Sequence, residues 1–96
     1  MSTEAQQVII YAPRRLTPTE RGVLSYVSHH EGAACTKDAL ASALGRSKIS
    51  VDRAVSRLRS EGMLIAEPSY DENGGQRANV YRLAAGKPPL VAQPLD

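Results

Sequence analysis

Thr36–Gly62 reads TKDALASALGRSKISVDRAVSRLRSEG, and its second half decides how the rest of the chain is read. At 3.6 residues per turn, Val51, Ala54, Val55 and Leu58 fall on one stripe, spaced i, i+3, i+4, i+7. Such a stripe faces a core. Ile49, Arg53, Ser56 and Ser60 lie opposite, flanked by Ser50 and Arg57. Ser47 stands where a helix cap belongs, and Gly45-Arg46 supplies a turn before it. Upstream, Thr36 caps a shorter helix that carries Leu40, Ala41 and Leu44 inward and stops at Gly45. Two helices joined by a short Gly-containing turn make a helix-turn-helix.

Charge is concentrated on the same segment. From Arg46 to Arg59 there are five cations (Arg46, Lys48, Arg53, Arg57, Arg59) against Asp52 alone, a local charge of +4. The remaining residues hold 7 cations and 9 anions, so the overall +2 hides a basic helix on a slightly acidic body. A basic stripe of this kind is the footprint expected where phosphates are neutralised. Most charge runs are solvated faces, so the elements around the helix have to decide between the two.

Composition narrows the class. Ninety-six residues make one small domain with tails and a modest core. The single Cys35 excludes an internal disulfide or a thiolate cluster within one chain, which fits a reducing, cytoplasmic setting. No apolar run is long enough to span a membrane, and the polar MSTEAQQ start lacks the cationic region of a signal peptide.

In chain order, residues 1–7 are expected to be disordered. VIIYAP (8–13) reads as a strand or extended arm, packing on its own chain or pairing with a second copy. LTPTERGVLSYVSHHEG (16–32) opens as a helix: Thr17 caps, Pro18 takes the first position and Glu20 completes a capping box. Val23, Leu24 and Val27 form its buried stripe, Gly22 suits a close helix crossing, and Gly32 is a natural stop. His29-His30 invite a metal reading, but adjacent helical positions diverge and no ligand cluster accompanies them. Cys35 reads as a small buried hydrophobe rather than a nucleophile. After Gly62 the period changes to 2. MLIAEPSY is a strand weakened by Pro68; DENGG is a turn with Asn73-Gly74 supplying positive φ; QRANVYRLA returns, packing through Val80, Tyr81 and Leu83. KPPLVAQPLD, with three prolines, is expected to be a disordered tail. The divisions are therefore an arm (1–15), a helix-turn-helix domain ending in the hairpin (16–84) and a tail (85–96). The fold class is mainly α with a small antiparallel β-hairpin, α+β.

The run LASALGRSKISVDRAVSRLRSEGMLI (40–65) resembles the winged helix-turn-helix proteins, and most closely the MarR-type transcription regulators and their small relatives. The likeness extends loosely over Leu16–Leu83. It implies a three-helix winged helix-turn-helix that binds double-stranded DNA. Ser47, Lys48, Ile49, Ser50 and Arg53 then belong to the base-reading part of the helix. Thr36 matches a phosphate-touching helix start, and Lys37, Arg46, Arg57 and Arg59 are assigned to phosphate beside it. Asn73, Gly74, Gln76 and Arg77 form the wing. On the residues alone, Arg53 is the best candidate for a bidentate guanine contact, because it lies opposite the core stripe. Ile49 has two readings, leaning back on the preceding turn or packing on a thymine methyl.

The function expected is a prokaryotic, cytoplasmic, sequence-specific regulator acting at an operator, with no catalysis, no cofactor, no metal and no small-molecule ligand. A homodimer through the N-terminal arm, reading half-sites roughly 34 Å apart or a multiple of that, is the expected assembly. The alternatives are a replication or mobile-element DNA-binding factor of phage or plasmid type, and a winged helix serving as a protein-interaction module.

Overall fold

The computed structural model describes residues 8–31 and 33–95. The expectations for residues 1–7 and for Gly32 lie outside the described residues. The elements run β1 (Ile9–Ala12), α1 (Pro18–His29), α2 (Lys37–Leu44), α3 (Lys48–Ser60), β2 (Leu64–Tyr70), β3 (Gln76–Leu83) and β4 (Val91–Pro94).

Each helix begins where its cap predicts. Thr17 Oγ1 accepts the Glu20 amide at 3.1 Å, and Glu20 Oε1 accepts the Thr17 amide at 2.8 Å, so the capping box is closed. Thr36 and Ser47 cap α2 and α3 through the amides of Ala39 and Ser50. Gly45 ends α2 at φ 65°, a left-handed turn that glycine adopts without strain, and α3 starts at once. Gly22 has the crossing role its position suggested: a Cβ there would stand 3.2 Å from Leu44 Cδ2. Val23, Leu24 and Val27 of α1 meet Leu40 and Ala41 of α2 and Val51, Ala54, Val55 and Leu58 of α3 in one core. Met63, Leu64 and Tyr81 close it from the hairpin side.

β2 and β3 pair antiparallel from Leu64↔Leu83 to Tyr70↔Gln76, with the register shifting between Glu67 and Ser69. Pro68 sits at that shift, as expected of a residue that cannot donate to a ladder. The tip differs from a two-residue Asn-Gly turn. Only Gly74 has positive φ there; the Gly74 amide returns to the Asp71 carbonyl and the Asp71 amide to the Gly75 carbonyl. Asp71 Oδ1 accepts the amides of Asn73 and Gly75. This is a three-residue loop with its glycine in the left-handed position, held by an aspartate side chain. The link before α2 also joins the hairpin: Ala34 bridges Val80, and the Cys35 amide donates to the Asn79 carbonyl at 2.9 Å. Cys35 is half-buried against the core, and burial pushes its thiol pKa up.

The Pro-rich segment departs from expectation. Instead of a disordered tail, residues 91–94 form β4, paired antiparallel with β1 from Ile9↔Pro94 to Ala12↔Val91. Gln93 explains the order. Fully buried, it donates from Nε2 to the Arg14 carbonyl and accepts the Leu16 amide at Oε1, both at 2.8 Å. Leu95 and Ala12 then enter the helical core. Among the described residues, no helix is long and apolar enough to cross a membrane.

Candidate nucleic-acid interface

The structure places the expected helix residues on a common outward surface. Lys48, Ile49, Ser50, Asp52, Arg53, Ser56 and Arg57 are all exposed, while Val51, Ala54, Val55 and Leu58 are buried. Ile49 is 66% exposed, so it does not lean back on α2. Ser47 is occupied by capping: its Oγ accepts the Ser50 amide at 3.1 Å and donates to Ser50 Oγ at 3.0 Å. Ser50 keeps its hydroxyl proton available to a further acceptor.

The cations divide into two groups. At the start of α3, two ion pairs tie it to α2: Lys37 to Asp52, and Lys48 to Asp38 at 3.5 Å. The Lys37 hydrogen bond and charge hold the Asp52 carboxyl below its usual range. Lys37, Lys48 and their two aspartates thus form a locally neutral cluster in a shallow cleft reaching Thr36 and Asn79. Asp38, which sequence reasoning left out of the charge count on α3, supplies half of that cancellation. By contrast, Arg46, Arg53, Arg59 and Arg77 have no carboxylate within 4.0 Å among the described residues. Arg57 approaches Glu61 only at 3.9 Å.

Arg53 and Arg57 line a cleft on the α1 side of α3 together with Thr17, Thr19 and Ser50. Arg59 and Ser56 border the opposite side, against Leu64 and Ile65 of β2. The electrostatic pattern is therefore a neutral, paired patch near α2, with Arg53 and Arg59 unpaired on the two flanks of α3 and Arg57 loosely paired with Glu61. Asn73, Gly74, Gln76 and Arg77 are exposed at the hairpin tip and the start of β3, as their turn position required.

Among the described residues, no group of three or more His, Cys, Asp or Glu side chains is placed to hold a metal ion. His29 Nδ1 and His30 Nδ1 each lie 2.8 Å from a carbonyl of their own helix, those of Ser25 and Tyr26, and the His30 ring stacks on Tyr26 at 4.0 Å.

Three helices, the turn between α2 and α3, and a hairpin following α3 match a solved structure. A point mutant of MepR from S. aureus superposes with a TM-score of 0.60 at 20% sequence identity, covering 72% of this chain and 48% of that one. The fold is a winged helix. In it α3 is the exposed helix of the helix-turn-helix and the β2–β3 hairpin is the wing. This winged helix spans about half the length of the MepR chain. No protein-family model and no curated protein matches the sequence.

Two residues that structure the winged helix escaped the sequence reading. Arg14 and Gln93 join the arm and the tail to the helices, and each stands in a segment whose composition signals a terminus. Arg14 could have been suspected only from Glu20, a capping-box acid that has further lone pairs to satisfy.

Proposed function

We propose that the chain is a sequence-specific, double-stranded-DNA-binding regulator of prokaryotic type, acting from the cytoplasm at an operator. The observation that carries this reading is that Arg53 and Arg59 stand without a carboxylate partner among the described residues, with Ile49 exposed as well, on the exposed helix of a winged helix. The likeness to MepR, a MarR-family winged-helix regulator, supports the same reading. In it, α3 enters the major groove, Arg53 and Ile49 read base edges, and Arg46, Arg57 and Arg59 hold phosphates. Thr36 and Lys37 meet backbone beside them, with Lys37 exchanging Asp52 for phosphate. Lys48 and Ser50 contact the groove wall, and Ser47 acts through its cap rather than by reading a base. Asn73, Gly74, Gln76 and Arg77 follow the adjacent backbone. The reading assigns the chain no chemistry, cofactor or small-molecule ligand. Selection of bound sequences from random duplexes tests it: enrichment of a defined motif is expected, and failure to enrich any sequence would favour a protein-interaction module.

Ile49 gives a sharper check. Ile49→Ser should leave thermal stability within about 0.5 kcal/mol, because the side chain is already in solvent. At one position of the selected site, the variant should lose the parent's preference for thymine over uracil, which differ only by the methyl group. Retention of that preference removes Ile49 from the base-reading set.

The wing is expected to add affinity more than specificity. Arg77 starts β3 beside the glycine-bearing tip, where a long cation adapts to backbone. Arg77→Ala should lower the slope of log K against log salt by about one unit, uniformly over sequences. An unchanged slope would show that the wing stays off the DNA.

A further inference from the structure

The ribbon made by β1 and β4 has one open edge. The Leu95 amide donates to the Val8 carbonyl at 2.8 Å, which fixes the phase of the ladder. In an antiparallel pair, hydrogen-bonded and non-hydrogen-bonded positions alternate. Val8, Ile10 and Ala12 therefore turn their backbone groups to β4, and Ile9 and Tyr11 turn theirs outward. Among the described residues, no other strand pairs with that outward edge. The opposite edge, on β4, is poorer: Pro94 has no amide to offer and Pro89 precedes the strand.

The outward residues of β1 are also apolar and exposed, Ile9 at 47% and Tyr11 at 57%, and Val8, Leu90 and Val91 extend the patch. Edge strands of soluble proteins are usually guarded by charge, proline or a bulge. Within β1 there is none of these, Pro13 closing only its far end, and no charged side chain occurs from Val8 to Pro13 or from Pro88 to Leu95. An unguarded, uncharged strand is complementary to itself, since two copies meet without burying a charge. Antiparallel pairing about a two-fold axis through Ile10 presents each edge to its own copy, which is the isologous geometry of a closed dimer.

We propose that β1 pairs antiparallel with β1 of a second copy, making a continuous four-stranded sheet in the order β4–β1–β1–β4. This goes beyond the DNA-binding reading and does not depend on it. A four-residue edge with a few flanking side chains falls short of the roughly 800 Å² per partner of a stable interface, so the dimer is a weak one in free solution. Two adjacent sites on one DNA would raise its effective concentration.

Sedimentation velocity on the full chain tests the pairing. A monomer–dimer equilibrium with a Kd in the range of about 1–100 μM is expected, and because no charges meet it should not weaken between low and high salt. Tyr11→Lys replaces the apolar contact with Ile9 of the second copy and sets two like charges diagonally across the two-fold; it should raise the Kd about tenfold or more, with an unchanged far-UV circular dichroism spectrum. Ala92→Pro removes an outward amide from β4 instead and should leave the Kd unchanged in a variant that keeps that spectrum. A chain monomeric at about 100 μM, a dimer indifferent to Tyr11→Lys, or one abolished by Ala92→Pro with the spectrum intact overturns the proposal.

Discussion

Arg14→Met is expected to destabilise the protein by about 2–3 kcal/mol at neutral pH, lowering Tm by roughly 10 °C or more. Arg14 follows β1 and reaches two carboxylates at once. It donates from Nη1 and Nη2 to Glu20 at 2.8 and 2.7 Å, and from Nε and Nη2 to Glu61 at 2.8 Å each. Glu20 lies in the first turn of α1 and Glu61 just beyond α3, so one guanidinium clamps both helices to the arm. The methionine keeps the apolar stem but leaves Glu20, which is buried, without its counter-charge. That orphaned carboxylate accounts for most of the loss, and the partial exposure of Arg14 and Glu61 keeps the figure below that of a fully buried pair.

The pH dependence identifies the cause. Burial alone would push the Glu20 carboxyl up from its usual 4.5, but hydrogen bonds from Arg14 and Thr17 outweigh it and hold the group below that value. A lowered folded-state pKa contributes stability that is present above pH 4.5 and fades as pH falls through the lowered value. In Arg14→Met, burial acts without the guanidinium, so the carboxyl rises and protonation relieves it. Urea unfolding should therefore show the widest gap between parent and variant near neutrality, narrowing as pH falls from the variant's raised value through the parent's lowered one. A gap that stays constant with pH would assign the loss to packing.

For Arg53→Ala the expected result is a loss of roughly 1–3 kcal/mol in affinity for the selected site, confined to one base position. Arg53 projects from the face opposite Val51 and Leu58 and has no carboxylate partner among the described residues, so nothing in the free protein competes for its guanidinium. Lys48 and Lys37 differ on that point, since each must leave an aspartate before it meets DNA. Binding measured against the selected site and a scrambled duplex separates the outcomes. A uniform drop on both would make Arg53 a phosphate contact and move base reading elsewhere on α3.

The parts of this molecule written in local signals were readable from sequence. Thr17, Thr36 and Ser47 mark helix starts because a capping oxygen acts on amides two or three residues away, and Gly45 marks a stop because of its own φ. The core stripe of α3 follows from 3.6-residue periodicity alone. The tail was not readable, because β4 is held by a partner at the other end of the chain and by Gln93, whose hydrogen bonds reach Arg14 and Leu16. Proline content describes what a segment prefers when left alone, and this one is not. The cancellation of Lys37 and Lys48 by Asp52 and Asp38 was hidden for the same reason: it spans two helices, and counting charge along one of them misses it.

The ladder between β1 and β4 joins residues about 80 positions apart, so closing it costs more chain entropy than any contact among the helices or within the wing. The three-helix core and the hairpin form from neighbours in sequence, and they build the floor on which Ala12 and Leu95 settle. Contact order alone then favours late closure of the ribbon. A strand that becomes a straight, uncharged edge only when both ends of the chain have docked cannot act as an edge before the rest is folded. The same sequence, VIIYA, would be an aggregation hazard if it were extended early on a growing chain. Late closure of the ribbon would leave VIIYA available as a pairing edge only on a domain whose core is already folded.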